Sequence, residues 1–190
     1  MLRRLVCSVV ILWFVSNVVS ANEHPLLVGV RLAETRFRDW RYGHRVYRQQ
    51  VDCVQFVAAV VEELLQRGLL PEERSSILIN NVGRRRHLKN LILQNDKRIR
   101  GIQTALVQMG KGEIIKPSEA EPGDFIQFWR QRNGRWYGHA AIVVDVFSRE
   151  GSVCSLVFGS QQSNHGVGIG NFEVGLNDPN IKAYVVRFKN

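Results

Sequence analysis

The sequence predicts an α+β fold in which helices come first and an antiparallel β-sheet follows. In the first half, apolar residues recur at helical spacing, most clearly in VQFVAAVVEELL from residue 54. In the second half, short apolar runs alternate with turn signals such as Asn133-Gly134. Because helices and strands segregate along the chain, and no repeat or linker divides it, we expect one α+β domain.

The N-terminus has the pattern of a secretory signal peptide. Arg3 and Arg4 precede the apolar run LVCSVVILWFVSNVV, which is short for a membrane span, and small residues end at Ala21. We therefore expect a signal peptide over residues 1–21 and an exported, periplasmic or secreted protein. A retained N-terminal anchor is the alternative.

Charge and size limit the expected partners. Removing residues 1–21 takes away two arginines and no acidic residue, so the net charge falls from +9 to +7. Residues 22–190 suit a single domain. A basic exported protein favours anionic cell-wall polymers, glycans or lipid headgroups, and no nucleic acid is expected. We expect a monomer without cofactor or metal, with a cognate inhibitor protein considered as a further partner.

Several helices are predicted before residue 110. Asp52 can cap a helix that runs to Gly68, and Pro71 can begin another. Two more short helices are predicted over HLKNLILQN and IRGIQTALVQM, the second closing at Gly110. Residues from about 70 to 116 are thus expected to form a basic helical segment.

Four strands are predicted after Pro122. They are joined by the Asn133-Gly134 turn, a turn at SREG and a polar glycine-rich loop, GSQQSNHGVGIG. The predicted strands are DFIQFWR, RWYGHAAIVVDVF, SVCSLVFGS and KAYVVRF.

Cys53 is the candidate nucleophile. At a helix start, unpaired amides and the positive end of the helix dipole lower the pKa of a thiol and favour the reactive thiolate. The same amides can donate to an oxyanion. The alternatives are a buried structural thiol and a disulfide with Cys154.

His139 is the candidate base, because it follows Gly138 at the mouth of an apolar strand. Asp145 is excluded as its orienting partner, since six residues of strand span roughly 20 Å. Pairing across the SREG turn sets His139 opposite residues 159–161, which makes Gln161 and then Ser160 the candidates. A surface histidine beside a surface loop is the alternative.

Three motifs resemble the NlpC-type and CHAP-type papain-like cysteine hydrolases of bacterial cell walls. They are DC-x-x-F at residues 52–56 preceded by Tyr42-Gly43, then PGDFIQFW, then GHAAIVVDV. The resemblance implies a cysteine-bearing helix packed on an antiparallel sheet that carries the histidine. It implies a peptidoglycan peptidase or amidase acting through a thioester, with Cys53 as nucleophile, His139 as base, a third residue at or near Gln161, and a structural Asp124.

The chain departs from the pattern of that superfamily. The interval between Cys53 and His139 is long, which the helical segment of about 70–116 explains as an insertion. Val54 replaces a small serine, and Gln161 replaces a histidine, asparagine or glutamate. These departures leave two alternatives open. One is a papain-like enzyme with another acyl substrate, such as a protease, transglutaminase or lipid acyltransferase; the other is a non-catalytic wall-binding module.

Substrate-binding residues are expected among the aromatic and polar side chains near these motifs, namely Tyr42, Tyr47, Trp136 and Asn164. A basic cluster could bind an anionic wall polymer or could equally form a solvated face. Its members are Arg84, Arg85, Arg86 and Lys89, with Lys97, Arg98 and Arg100 nearby. His24, His44 and His87 lack metal-ligand spacing, so no metal site is expected.

Overall fold

The computed structural model describes residues 23–82, 85–149, 152–163, 166–176 and 178–190. The signal peptide expected at residues 1–21 lies outside these ranges. The described residues form five α-helices and eight strands, six of which make one antiparallel sheet. The predicted α+β class is therefore confirmed. None of the described helices is long and apolar enough to cross a membrane.

The helices precede all strands of the large sheet. Asp52 caps the helix that starts at Cys53: its carboxylate accepts from the Gln55 amide at 2.7 Å, and the Gln55 side chain accepts from the Asp52 amide at 3.0 Å. This helix ends before the expected Gly68, with Gln66 in the left-handed region. The helices are α1 (Pro25–Glu34), α2 (Cys53–Leu65), α3 (Pro71–Ile77), α4 (Arg85–Leu93) and α5 (Ile102–Gln108).

The strands form two sheets. A small parallel pair consists of β1 (Arg41–Tyr42) and β2 (Gln50–Val51). The large sheet has the order β3-β8-β4-β5-β6-β7. Its strands are β3 (Gly112–Ile115), β4 (Phe125–Arg132), β5 (Arg135–Arg149), β6 (Ser152–Ser163), β7 (Gly166–Gly175) and β8 (Ile181–Phe188).

One expected loop is instead a pair of strands. The segment 159–170 was predicted as a loop from its glycine and polar residues, yet β6 continues to Ser163 and pairs with β7, with Ser163 opposite Gly166. Composition misleads here because pairing depends on neighbours across the sheet as well as on intrinsic propensity. Val157 of β6 lies opposite Phe172 of β7, and both belong to the same apolar cluster.

The two faces of the large sheet carry separate apolar clusters. Helices α1 and α2 cover the first, which we call the helix face, where Ala140 and Ile142 of β5 pack with Phe56 of α2. Ala141 and Val143 of β5 point to the opposite side, which we call the far face. Since side chains alternate along a strand, the position of each site residue in this alternation decides which face it occupies.

Candidate functional site

Cys53 is the first residue of α2, and its side chain is buried on the helix face with 6% of its surface exposed. The backbone amides of Ala140, Val54 and Cys53 itself face the sulfur and favour the thiolate. Burial nevertheless dominates and, with the negative charge of Asp52 adding, raises the pKa of the Cys53 thiol to about 11. The amides of the helix start lower this pKa as expected, but burial outweighs them, so the expected net lowering is wrong.

His139 lies on the far face. Its ring centroid is 5.5 Å from that of Phe128 and 4.8 Å from that of Phe172, and both phenylalanines belong to the far-face cluster. Burial among these rings, with a smaller contribution from the charge of Arg130, lowers the pKa of His139 to about 4. This imidazole is therefore neutral at pH 7.

The structure does not bring Cys53 and His139 together. Ala140 points to the helix face beside the thiol, so His139, its neighbour in the chain, points to the other side of the sheet. The backbone of β5 lies between the two side chains. A direct proton transfer between them, as expected from the sequence, does not fit this arrangement.

The described contacts do not test the third residue expected from strand pairing. Among the described residues, the pairs between β5 and β6 run from Arg149 opposite Ser152 to Ile142 opposite Phe158 and stop short of His139. Asn164 lies outside the described residues, as do the side chains of Ser160 and Gln161.

A second histidine, which the sequence reasoning missed, lies at the same helix end as Cys53. His44 Nδ1 is 2.6 Å from Asp52 Oδ2, and the His44 carbonyl accepts from Gln55 Nε2 at 3.4 Å. The imidazole is mostly exposed whereas Asp52 is buried. The signal that could have found it is the short parallel pair, in which Tyr42 lies opposite Val51 and so brings residue 44 towards residue 52.

Tyr42 also belongs to this group. Burial raises the pKa of its phenol to about 12, and the negative charges that Cys53 and Asp52 can carry act in the same direction. The phenol is therefore close to the thiol and stays a neutral hydrogen-bond donor. Among the described residues expected to bind substrate, Tyr42 is the one that lies beside Cys53.

The other aromatic candidates lie elsewhere. Tyr47 is 78% exposed on the turn Val46–Arg48, with the Arg48 guanidinium 5.5 Å from its ring centroid. Trp136 lines a pocket of about 690 Å³ between α4 and the β4–β5 hairpin. This pocket also includes Gly138, which leaves room for Trp129: a Cβ on Gly138 would lie 2.7 Å from the indole.

The basic cluster is only partly described. Arg84 lies outside the described residues, and so do the side chains of Arg85 and Arg86. Arg98 pairs with Asp96 at 2.9 Å, and Arg100 lies over the ring of Tyr184 with 5.5 Å between its guanidinium carbon and the ring centroid. Among the described residues, Lys97 forms no salt bridge. Lys89 is exposed beside the pocket.

The structure also defines the surroundings of Asp124 and the state of the two described cysteines. Asp124 is buried and receives two hydrogen bonds from the Arg187 guanidinium, at 2.9 and 3.0 Å, which is the structural role expected for it. Cys53 and Cys154 are both free thiols. Within the described ranges, no three side chains of histidine, cysteine, aspartate or glutamate gather as metal ligands would.

Comparisons with known proteins give no relative for this chain. No family model, no curated protein and no solved structure matches it. A functional proposal therefore rests on the residues around Cys53 and on the pocket beside Trp136.

Proposed function

We propose that this protein is an exported cysteine hydrolase that cleaves amide bonds of peptidoglycan through a thioester. The observation that carries the proposal is the position of Cys53 at the start of α2, directly after Asp52, whose carboxylate lies 2.6 Å from the imidazole of His44. The motif resemblance supports the reaction and the wall substrate, and the signal peptide pattern supports export. The base in this proposal is His44, because His139 faces away from the thiol.

The roles follow from the chemistry of each group. The Cys53 sulfur attacks the amide carbon while the thiol proton passes to Nε2 of His44, whose Nδ1–H is held by Asp52. The imidazolium then gives that proton to the departing amine as the carbon–nitrogen bond breaks. Water, deprotonated by the same imidazole, hydrolyses the thioester and regenerates the thiol.

Backbone amides at the helix start would stabilise the intermediate. The amides of Cys53 and Val54 face the sulfur, and first-turn amides have no partner within their own helix. They are therefore available to an oxyanion on the attacked carbon. The neutral phenol of Tyr42 is a further donor close to the same point.

Digestion of purified peptidoglycan tests this proposal. Wild-type protein should release fragments with new amino and carboxyl termini, identified by mass, whereas Cys53→Ala should release none while keeping its fold. The expected loss is at least about a thousandfold, since the nucleophile has no substitute in the site. Equal fragment release by both proteins would refute the role of Cys53.

A non-catalytic wall-binding module is the second candidate function. The burial that raises the pKa of Cys53 to about 11 favours it, because a protonated thiol is a weak nucleophile at neutral pH. For this candidate, wild type and Cys53→Ala would bind sacculi equally well and neither would release fragments. The digestion thus separates the two functions.

A further inference from the structure

The pocket beside Trp136 has the composition of a site for an acidic sugar. Its floor is the indole of Trp129, which is buried and fixed by a hydrogen bond from Nε1 to the Ile99 carbonyl at 2.8 Å. Trp136 and Leu88 complete an apolar surface, because both pack against the same cluster as Trp129. Trp136 is the partly exposed indole of the two, and its ring can pack against the C–H face of a sugar.

The charged side chains described in this pocket are cations. Lys89 of α4 and Arg135 of the hairpin line it, and no described carboxylate does. Among the described residues, neither cation has an ion-pair partner, and Nε1 of Trp136 is buried without an acceptor. Buried polar groups are nearly always hydrogen-bonded, so the described part of the chain leaves this indole N–H without its usual acceptor.

The pocket adjoins the proposed site along one strand. Trp136, Gly138 and Ala140 alternate onto the helix face of β5, and the amide of Ala140 faces the Cys53 sulfur. Gly138 is two residues from Ala140, a distance of about 7 Å along the strand. A chain-like ligand could therefore occupy the pocket and extend towards the thiol.

We propose that this pocket binds a glycan segment that carries carboxylates, with the sugar packed on the indole of Trp136 above the buried Trp129 and a carboxylate near Lys89 and Arg135. The ligand class rests on the proposed function, since the peptide stems of peptidoglycan carry carboxylates next to its sugars. The site itself does not depend on the reaction, because it is built from the hairpin and α4 rather than from Cys53.

Binding to a catalytically dead protein tests the pocket separately from the reaction. In Cys53→Ala, titration with a soluble disaccharide–peptide fragment of peptidoglycan, followed by tryptophan fluorescence and calorimetry, should give saturable binding that weakens with added salt. Chitotetraose, a neutral sugar, should bind more weakly and without salt dependence. A failed digestion with intact fragment binding would reject the hydrolase and keep the pocket.

Variants locate the ligand. Lys89→Glu should raise the Kd for the acidic fragment about five- to tenfold, and Arg38→Glu, a matched reversal on the turn after α1, should leave it unchanged. Trp136→Phe keeps an aromatic ring but removes the N–H, and should weaken both sugars. Absence of binding, or the same Kd in Lys89→Glu and Arg38→Glu, would overturn the proposal.

Discussion

The reactive side chains on the two faces of the sheet have different surroundings. On the helix face, Cys53 lies among backbone amides with Tyr42, Asp52 and His44 close to the helix start. On the far face, His139 lies among the rings of Phe128 and Phe172. The helix face therefore offers groups that can exchange protons, whereas the far face isolates its imidazole from them.

This difference teaches that proximity along the chain is a poor guide to proximity in a sheet. Ala140 and His139 are adjacent, yet one borders the thiol and the other contacts the far-face cluster. A shift of one residue in register would exchange them. Experiments can therefore test directly whether His139 lies on the far face.

The largest expected effect concerns which histidine supports turnover. His44→Ala should lower kcat on a peptidoglycan fragment by about a hundred- to ten-thousandfold, because it removes the proposed base. His139→Phe should change kcat less than about threefold, because a ring that faces away from the thiol takes no part in proton transfer.

Each variant needs a check of its fold. His44 is mostly exposed, and a phenylalanine at 139 keeps the aromatic contacts with Phe128 and Phe172, so both should unfold near the wild-type temperature. A folded His139→Phe protein without turnover, together with an active His44→Ala protein, would show that His139 is the base. That result would refute its placement on the far face, away from Cys53.

A smaller effect should appear in stability at mildly acidic pH. Because the pKa of His139 falls from 6.5 in the unfolded chain to about 4 in the fold, the unfolded state binds a proton that the native state does not. The stability that this residue contributes is complete above pH 6.5 and is lost as the pH falls towards 4. The loss amounts to roughly 3 kcal/mol.

Urea unfolding of wild type and His139→Phe at several pH values measures this contribution. Carboxylates titrate in both proteins, so the difference between them isolates residue 139. Wild type should lose roughly 3 kcal/mol more than the variant between pH 7 and pH 4. Parallel curves would mean that His139 is solvated or charge-paired in the native state.

Local signals in the sequence predicted much of the fold. The Asp52 cap, the Asn133-Gly134 turn and the helix closing at Gly110 follow from side chains and backbone angles within a few residues, and the structure confirms each. Strand β7 was not predicted, because its glycines disfavour a strand locally and its pairing with β6 depends on contacts across the sheet.

The site was harder to predict than the fold. The run Ala140-Ala141-Ile142-Val143 is apolar at every position because both faces of β5 are buried, so no alternation in the sequence reveals which face His139 occupies. The pKa of Cys53 depends on burial by distant elements, which outweighs the amides of its own helix. His44 depends on the pairing of two short strands.

The central claim is that Cys53 and His139 lie on opposite faces of the sheet. Its most direct test is a measurement of distances around the His139 ring in solution. Nuclear Overhauser effects from its ring protons, with histidine selectively labelled, should reach the rings of Phe172 and Phe128 and should be absent to the β-protons of Cys53. Contacts from the His139 ring to Cys53, with none to Phe172, would contradict the account.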